Sequence, residues 1–106
     1  MMTEQDRSIL SALAARIRSS FPGAEVSAFG SRARGTAEPD SDMDICVVLP
    51  NVNRRALSLV RQAAWEIGFE NNRVITTIVL DNGQFRSGPL SESGLVAAIQ
   101  RDGVAG

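Results

Sequence analysis

Two aspartates stand two residues apart, immediately before an apolar run of the chain. Asp42 and Asp44 lead into residues 45–49, which the unbroken apolar pattern predicts to be a buried strand. Residues i and i+2 of a strand point to the same face, so the two carboxylates are expected side by side. Two like charges in that arrangement are costly unless a cation lies between them. The pair is therefore a candidate site for a divalent metal ion.

A glycine turn precedes the aspartates. Gly30 and Ser31 follow a predicted strand at residues 25–29 and offer backbone N–H groups and a hydroxyl to an anion. The alternative is an ordinary hairpin turn, in which glycine supplies only its backbone freedom. The spacing from Gly30 to Gly35 matches a P-loop, but Thr36 stands where that motif needs Lys, so we reject it. An anion cradle beside two metal-binding carboxylates is typical of phosphoryl or nucleotidyl transfer.

The residue types that the chain lacks narrow the chemistry. It contains no His and no Tyr, and all 11 of its Lys and Arg residues are Arg. Ser-His-Asp hydrolysis, Cys-His catalysis, His-ligated zinc and lysine-based covalent routes are thereby excluded. Carboxylate chemistry remains, with Arg as the cationic side chain. If the protein is an enzyme, a metal ion is expected to be central to it.

Length, charge and cysteine content indicate the general class. The 106 residues suffice for a single domain, residues 1–106, with a hydrophobic core. A formal net charge of −1 provides no bulk attraction to nucleic acid or to an anionic membrane, so neither is an expected partner. The sequence shows no membrane span and no signal-peptide pattern. The single cysteine, Cys46, is expected to be an inert core residue, and the expected location is cytoplasmic.

Hydrophobic periodicity predicts the elements that position these residues. In chain order they are a helix over residues 4–20, strands over 25–29 and 43–49, a helix over 54–69, a strand over 74–80, and a final short helix from about 90 to 103. Thr3 and Asp6 resemble a capping box in which Asp replaces Glu. Residues 81–83 are predicted to form a turn, and Trp65 is predicted at the edge of the core. Strands 43–49 and 74–80 are joined by a helix and should run parallel, which indicates an α/β (α+β) fold with helices packed on a small mixed β-sheet.

Residues 28–49 resemble the signature of the polymerase-beta-like nucleotidyltransferase superfamily in its minimal form. They contain, in order, Gly-Ser, Arg-x-Arg-Gly and Ser-Asp-x-Asp at the start of a strand. The resemblance is weaker elsewhere, although residues 83–104 are also similar to small stand-alone members. It implies the polymerase-beta-like nucleotidyltransferase fold for nearly the whole chain, and the activity of a minimal nucleotidyltransferase.

The resemblance implies roles for the turn and for the aspartates. Gly30 would let the backbone approach a nucleoside triphosphate, and Ser31 would hydrogen-bond its outer phosphates. Asp42 and Asp44 would hold Mg²⁺ and carry catalysis.

Between the glycine turn and the aspartates, the loop offers further candidates. Arg32 and Arg34 are either phosphate contacts or solvated loop residues. Ser41 is a candidate nucleotide contact that also caps its own turn, while Glu38 and Asp40 are expected to shape the loop.

Catalytic members of the superfamily usually supply a third carboxylate from the neighbouring strand, and this chain departs from that pattern. Residues 73–80 contain no acid. Asp81 is expected at the far end of the strand, on the order of 20 Å from the site at about 3.3 Å per residue. Glu70 lies nearer to the correct end but is expected to be solvated. The third ligand or general base is therefore missing or unconventional.

Two functions from different classes follow. The first is an enzyme that uses Mg²⁺ to transfer a nucleoside monophosphate from a nucleoside triphosphate, with ATP favoured, to an acceptor hydroxyl on a protein, a small molecule or an RNA end. The second is a catalytically weak or inactive nucleotide-binding or partner-binding module, antitoxin-like, that lacks the third carboxylate. In either case the resemblance implies a small helical partner protein or a homodimer.

Overall fold

The computed structural model of the chain describes residues Met1–Gly106 and contains one four-stranded sheet. Its strands are β1 (Glu25–Phe29), β2 (Met43–Leu49), β3 (Ile75–Asp81) and β4 (Val104–Ala105). They lie in the order β3-β2-β1-β4. β2 runs parallel to β3 and antiparallel to β1, and β4 pairs antiparallel with β1. The predicted mixed sheet and its parallel pair are confirmed, whereas β4 was not predicted because two residues carry no alternation signal.

Five α-helices and one 3₁₀ turn connect and cover the strands. They are α1 (Glu4–Ser20), α2 (Gly30–Arg34), α3 (Arg54–Glu70), α4 (Asn82–Arg86), the 3₁₀ turn Pro89–Glu92 and α5 (Gly94–Asp102). The predicted helices over 4–20 and 54–69 are confirmed, and the last helix is confirmed in outline. None of the helices combines the length and the hydropathy that a membrane span requires.

Two short helices stand where the sequence indicated turns. α2 begins at the glycine turn itself, and α4 replaces the turn predicted at residues 81–83. Asp81 caps α4 by accepting a hydrogen bond from the Gln84 backbone N–H, and the Gln84 side chain accepts one from the Asp81 N–H. A helix of five residues has too few positions for an apolar period, so only its cap is visible in the sequence.

β2 is the centre of the core because both of its faces are covered. Met43, Ile45, Val47 and Leu49 pack against α1 and α3 on one face. Cys46 and Val48 belong to a smaller cluster on the other face, together with Val96 and Ile99 of α5. Burial on both faces explains the continuous apolar run of β2, since a strand solvated on one face would alternate.

Candidate active site

The glycine turn and the second aspartate meet at the junction of β1 and β2. Gly30 follows β1 directly, and the antiparallel register pairs its neighbour Phe29 with Asp44. Gly30 has a φ of 74°, and a Cβ at this position would lie 2.6 Å from Asp44 Oδ2. Both the backbone conformation and the space therefore require glycine here. The backbone of the turn approaches the Asp44 carboxylate closely because Gly30 has no side chain.

Asp44 lies at the second position of β2 and Asp42 immediately precedes the strand. The Met43 backbone N–H, between the two aspartates, donates to the Val74 carbonyl at 2.9 Å, which extends the pairing with the β3 side. Asp42 is exposed and Asp44 is half-buried. Strand alternation continued to Asp42 predicts that the two side chains share a face of the sheet. Both carboxylates are thus held on a hydrogen-bonded backbone segment and remain accessible to solvent.

Thr76 of β3 lies level with Asp44. The parallel register pairs the two residues, and Thr76 Oγ1 donates a hydrogen bond to Asp44 Oδ1 at 2.7 Å. Asp81 pairs with Leu49 at the opposite end of the strands, and Glu70 is exposed at the end of α3. The chain contains no cluster of three or more His, Cys, Asp or Glu residues that could hold a metal. A neutral hydroxyl therefore occupies the place where a third carboxylate would be expected.

The predicted phosphate contact Arg32 is engaged elsewhere, and this corrects the prediction for that residue. Its guanidinium donates to the carbonyl oxygens of Ser41 and Pro39, both at 2.9 Å, and to Asp6 Oδ2 at 3.4 Å. Arg32 is only 6% exposed, so a ligand in the site cannot reach its guanidinium without breaking these bonds. Arg32 lies on the side of α2 that faces the protein interior. The sequence motif was interpreted as a loop, and a loop gives no indication of a buried side.

The other predicted contacts lie around the turn. Ser31 is half-buried, and its hydroxyl makes no hydrogen bond within the protein. Arg34 is exposed and pairs with Asp102 of α5 at 3.4 Å. The neighbouring Arg101 and, to a smaller extent, Arg34 lower the pKa of the Asp102 carboxyl. Ser41 takes part through its backbone, as its carbonyl accepts from Arg32 and its N–H donates to Glu38. Ser31 and Arg34 thus have polar groups near the turn that a ligand could engage, whereas Ser41 shapes the loop.

Sequence reasoning missed the role of Asp6 in α1. Thr3 caps the helix as expected, by accepting from the Asp6 backbone N–H at 3.1 Å. The Asp6 carboxylate does not complete a capping box but accepts from Arg32 and, at 3.2 Å, from Arg73. Asp6 is 1% exposed. The position of Asp6 on the apolar face of the helix was a usable signal in the sequence. An acid on the apolar face of an amphipathic helix needs a buried partner.

Trp65 corrects another prediction, because it is not at the edge of the core. Trp65 is 68% exposed and stacks on Phe69, which is 76% exposed, at a centroid distance of 5.5 Å. With Val74 they line a groove of about 540 Å³ between α3 and the start of β3. The charged residues lining that groove are Arg61 and Arg73.

Comparison with known proteins identifies a family and similar solved structures. Residues 10–93 match the family model of the nucleotidyltransferase domain. A solved protein from Sulfolobus solfataricus, proposed to be a nucleotidyltransferase, is 27% identical with a TM-score of 0.54, and the match covers 95% of this chain and 80% of that one. No curated protein matches the chain significantly.

Two solved toxin–antitoxin structures share the fold. One, in complex with AMP-PNP, is 19% identical with a TM-score of 0.60 over 97% of this chain and 72% of that one. The other is a mutant of the toxin–antitoxin MntA-HpeT, 15% identical with a TM-score of 0.58 over 97% of this chain and 71% of that one.

Proposed function

The chain belongs to the nucleotidyltransferase domain family, and from this premise we propose that it transfers a nucleoside monophosphate from Mg²⁺-bound ATP to an acceptor hydroxyl. Nucleotidyl transfer is the reaction type that family membership assigns to it. The observation that carries the finer proposal is the close approach of the Gly30 backbone to the Asp44 carboxylate, which leaves no room for a Cβ. The backbone of the turn, which can bind a phosphate chain, and a carboxylate that can bind a metal ion therefore lie beside each other.

The donor set fits a magnesium ion. Mg²⁺ prefers oxygen ligands, keeps several waters, and is usually held by one or two carboxylates together with substrate phosphates. Asp42 and Asp44 supply two carboxylates two residues apart at the start of β2, and neither is buried. When bound there, Mg²⁺ would neutralise the triphosphate and stabilise the leaving pyrophosphate.

The remaining residues of the site have distinct proposed roles. The free hydroxyl of Ser31 would donate to the outer phosphates, and Arg34 would exchange its exposed pair with Asp102 for a phosphate contact. Arg32 holds the loop at Pro39 and Ser41 and so fixes the approach to Asp42. Thr76 holds one oxygen of Asp44 and thereby limits the orientations of that carboxylate.

The reaction itself is a displacement at the α-phosphorus. The acceptor oxygen forms a bond to that phosphorus, the bond to the bridging oxygen breaks, and pyrophosphate leaves. The hydroxyl proton must go to a base, and Thr76 cannot serve because its hydroxyl is neutral and donates to Asp44. We therefore assign the base to the acceptor or to a partner subunit. Two structural neighbours are toxin–antitoxin structures, which supports a partner protein for this chain.

A thermal-shift experiment tests the proposal. Mg²⁺ and ATP together should raise the Tm, because a ligand that binds only the folded state stabilises it. Asp42→Asn with Asp44→Asn should abolish the shift without lowering the Tm of the ligand-free protein, since it removes repulsion between neighbouring carboxylates.

The matched control is Glu38→Gln with Asp40→Asn, which removes the same charge from the same loop and should retain the shift. If the Asp42 and Asp44 variant unfolds readily without ligand, these acids are structural and the proposed metal site is wrong.

Partner binding is the second candidate function, and the exposed groove favours it. Clustered exposed aromatics and arginines are typical of protein interfaces. The groove offers stacked Trp65 and Phe69, with Arg61 and Arg73 as its charged lining. We propose that its occupant is a helix of a partner protein that presents an apolar face and a carboxylate, because this charge is complementary to the exposed Arg61, whereas Arg73 is already paired with Asp6.

Co-expression with the product of the adjacent gene tests this assignment. Trp65→Ala with Arg61→Glu should abolish co-elution in size-exclusion chromatography, whereas Arg54→Glu, at the other end of α3, should not. An unchanged complex would refute the groove as the docking site. If the wild-type chain alone is a dimer that this variant splits, the occupant is a second copy.

A further inference from the structure

Asp6 joins two arginines that belong to different parts of the site. Its Oδ1 accepts from Arg73 at 3.2 Å and its Oδ2 accepts from Arg32 at 3.4 Å. Asp6 and Arg32 are both buried. A carboxylate between two guanidinium groups compensates one of their two positive charges and orients both. Asp6 lies outside residues 10–93, so the family match gives it no role.

Each arginine is connected to the start of one of the two strands that carry the site. Arg32 is the residue after Ser31, and it clasps the carbonyls of Pro39 and Ser41, just before Asp42. Arg73 precedes Val74, whose carbonyl accepts from the Met43 N–H between Asp42 and Asp44. The Asp6 carboxylate therefore connects the glycine turn, the start of β2 and the start of β3.

The side chain of Arg73 is held by Asp6 alone. Its guanidinium makes no other hydrogen bond, and its Nε is buried without a partner. Loss of the Asp6 charge would therefore free the Arg73 guanidinium and leave Arg32 with only neutral carbonyl acceptors. Since both arginines adjoin the loop that holds the metal-binding aspartates, the disturbance would reach that loop first.

We propose that Asp6 is a positioning residue, which sets the relative placement of the anion cradle and of Asp42 and Asp44 through Arg32 and Arg73. It touches no substrate. Its contribution is preorganisation, since small misplacements of catalytic groups reduce rates strongly. The inference rests on the proposed function for its activity readout but not for its structural one.

Amide hydrogen exchange of the ligand-free protein tests the inference directly. The Ser41 and Met43 N–H groups are hydrogen-bonded to Glu38 and Val74, so their exchange reports the loop and the first rung between the strands. Asp6→Asn should accelerate exchange at these two amides about tenfold relative to the centre of β2, because only local opening becomes easier. Glu4→Gln removes an acid from the same helical turn without touching either arginine and should leave both amides unchanged.

A second comparison separates positioning from general destabilisation. Leu13→Ala, in the core face of α1, should lower the Tm and accelerate exchange throughout without selecting residues 39–44. If Asp6→Asn does not fold, Arg73→Met provides the test, because it leaves the Asp6–Arg32 pair intact and should accelerate exchange at Met43 more than at Ser41. Uniform exchange in the folded Asp6→Asn or Arg73→Met protein would overturn the proposal.

Activity gives an independent readout. In nucleotide transfer, Asp6→Asn should lower kcat about tenfold or more with a smaller change in KM for ATP, because a misplaced carboxylate pair weakens the transition state more than ground-state binding. If the wild-type protein binds no nucleotide, the proposed function is wrong. The exchange experiment uses the ligand-free protein, so it still tests whether Asp6 positions the loop. Selective exchange with unchanged kcat would refute the positioning role.

Discussion

β2 and β3 are parallel neighbours of seven residues each, yet they provide the site with different things. β2 is buried on both faces and holds Asp44 near its start. β3 is an edge strand, half-exposed along most of its length, and presents Thr76 at the same level. A carboxylate on the buried strand is held rigidly by the core beneath it, whereas the edge strand contributes only a hydroxyl that orients it.

The difference shows which strand the site depends on. Gly30 and Ser31 lie on the β1–β2 side, so the candidate ligand contacts are concentrated there. Arg32, which donates to the carbonyls of Pro39 and Ser41, holds the loop on the same side. The β3 side adds Thr76 and, through Arg73, the link to Asp6. We expect a β3 side without an acid to permit nucleotide binding but to slow any step that needs a base from this strand.

The largest expected effect comes from restoring the missing carboxylate on β3. Thr76→Asp places an acid level with Asp44, and a positioned general base is worth about 10²–10⁴-fold in rate. We expect transfer of labelled nucleotide to a co-expressed partner to rise within that range. In the absence of Mg²⁺ the new carboxylate repels Asp44 and should lower the Tm, which Mg²⁺ should restore.

Thr77→Asp is the matched control for that prediction. Thr77 is the next residue of β3 and points to the opposite face, towards α3, so its carboxylate cannot reach Asp44. It should destabilise the protein without raising transfer. Robust wild-type transfer that Thr76→Asp does not improve would show that catalysis uses another base. Nucleotide binding with no transfer from any variant would favour the binding module.

The same substitution in both strands measures how far burial differs between them. Ile45→Ala in β2 removes a fully buried side chain and should cost about 2–5 kcal/mol of unfolding free energy. Ile78→Ala in β3 removes a half-buried one and should cost roughly half as much, in proportion to the apolar area lost. Urea denaturation with unchanged m-values checks both. Equal costs would mean that the edge strand is as tightly packed as the centre.

Ser31→Ala tests whether the β1–β2 side holds the ligand. Its hydroxyl has no partner within the protein, so the fold should be unaffected. A charge-assisted hydrogen bond is worth about 1.5–3 kcal/mol, so triphosphate affinity should fall about ten-fold or more. Monophosphate affinity should fall less, because the hydroxyl addresses the outer phosphates. Isothermal titration checks both ligands, with Ser27→Ala on β1 as the control. Equal losses would show that Ser31 merely shapes the turn.

Periodicity was sufficient to predict most of this fold. The long helices and β1, β2 and β3 follow from apolar spacing, and the parallel pairing of β2 and β3 follows from the helix between them. α2 and α4 were not predicted because each is only five residues long. Their boundaries depend on local hydrogen bonds, such as the reciprocal cap between Asp81 and Gln84, that a hydrophobic pattern does not encode.

The sequence predicted which residues form the candidate site, but not which residues their side chains would contact. The closeness of Gly30 and Asp44 agrees with the order of elements, because a strand, a turn and an antiparallel strand return the chain to its start. The position of Asp6 on the apolar face of α1 signals a buried partner, but that this partner is Arg32 could not be foreseen, because the two residues lie 26 positions apart in the chain. The exposure of Trp65 likewise depends on which side of α3 faces the sheet. The spacing of the apolar residues is compatible with Trp65 on the buried side or on the exposed side.

The smallest expected effect concerns Cys46, which lies in β2 two residues after Asp44. Burial, with a smaller contribution from Glu25, raises the pKa of the Cys46 thiol to about 11 from an ordinary value of 9.0. The folded state therefore holds the thiol proton more tightly than the unfolded state. The corresponding stability is fully present below pH 9 and is lost as the pH rises towards 11, with about 1.4 kcal/mol gone by pH 10. The chain has no Lys and no Tyr, so Cys46 is its one side chain expected to titrate in this window. Denaturation at pH 8, 9 and 10 should show the loss in the wild type and a flat profile in Cys46→Ala, whereas a parallel decline in both would assign the alkaline sensitivity elsewhere.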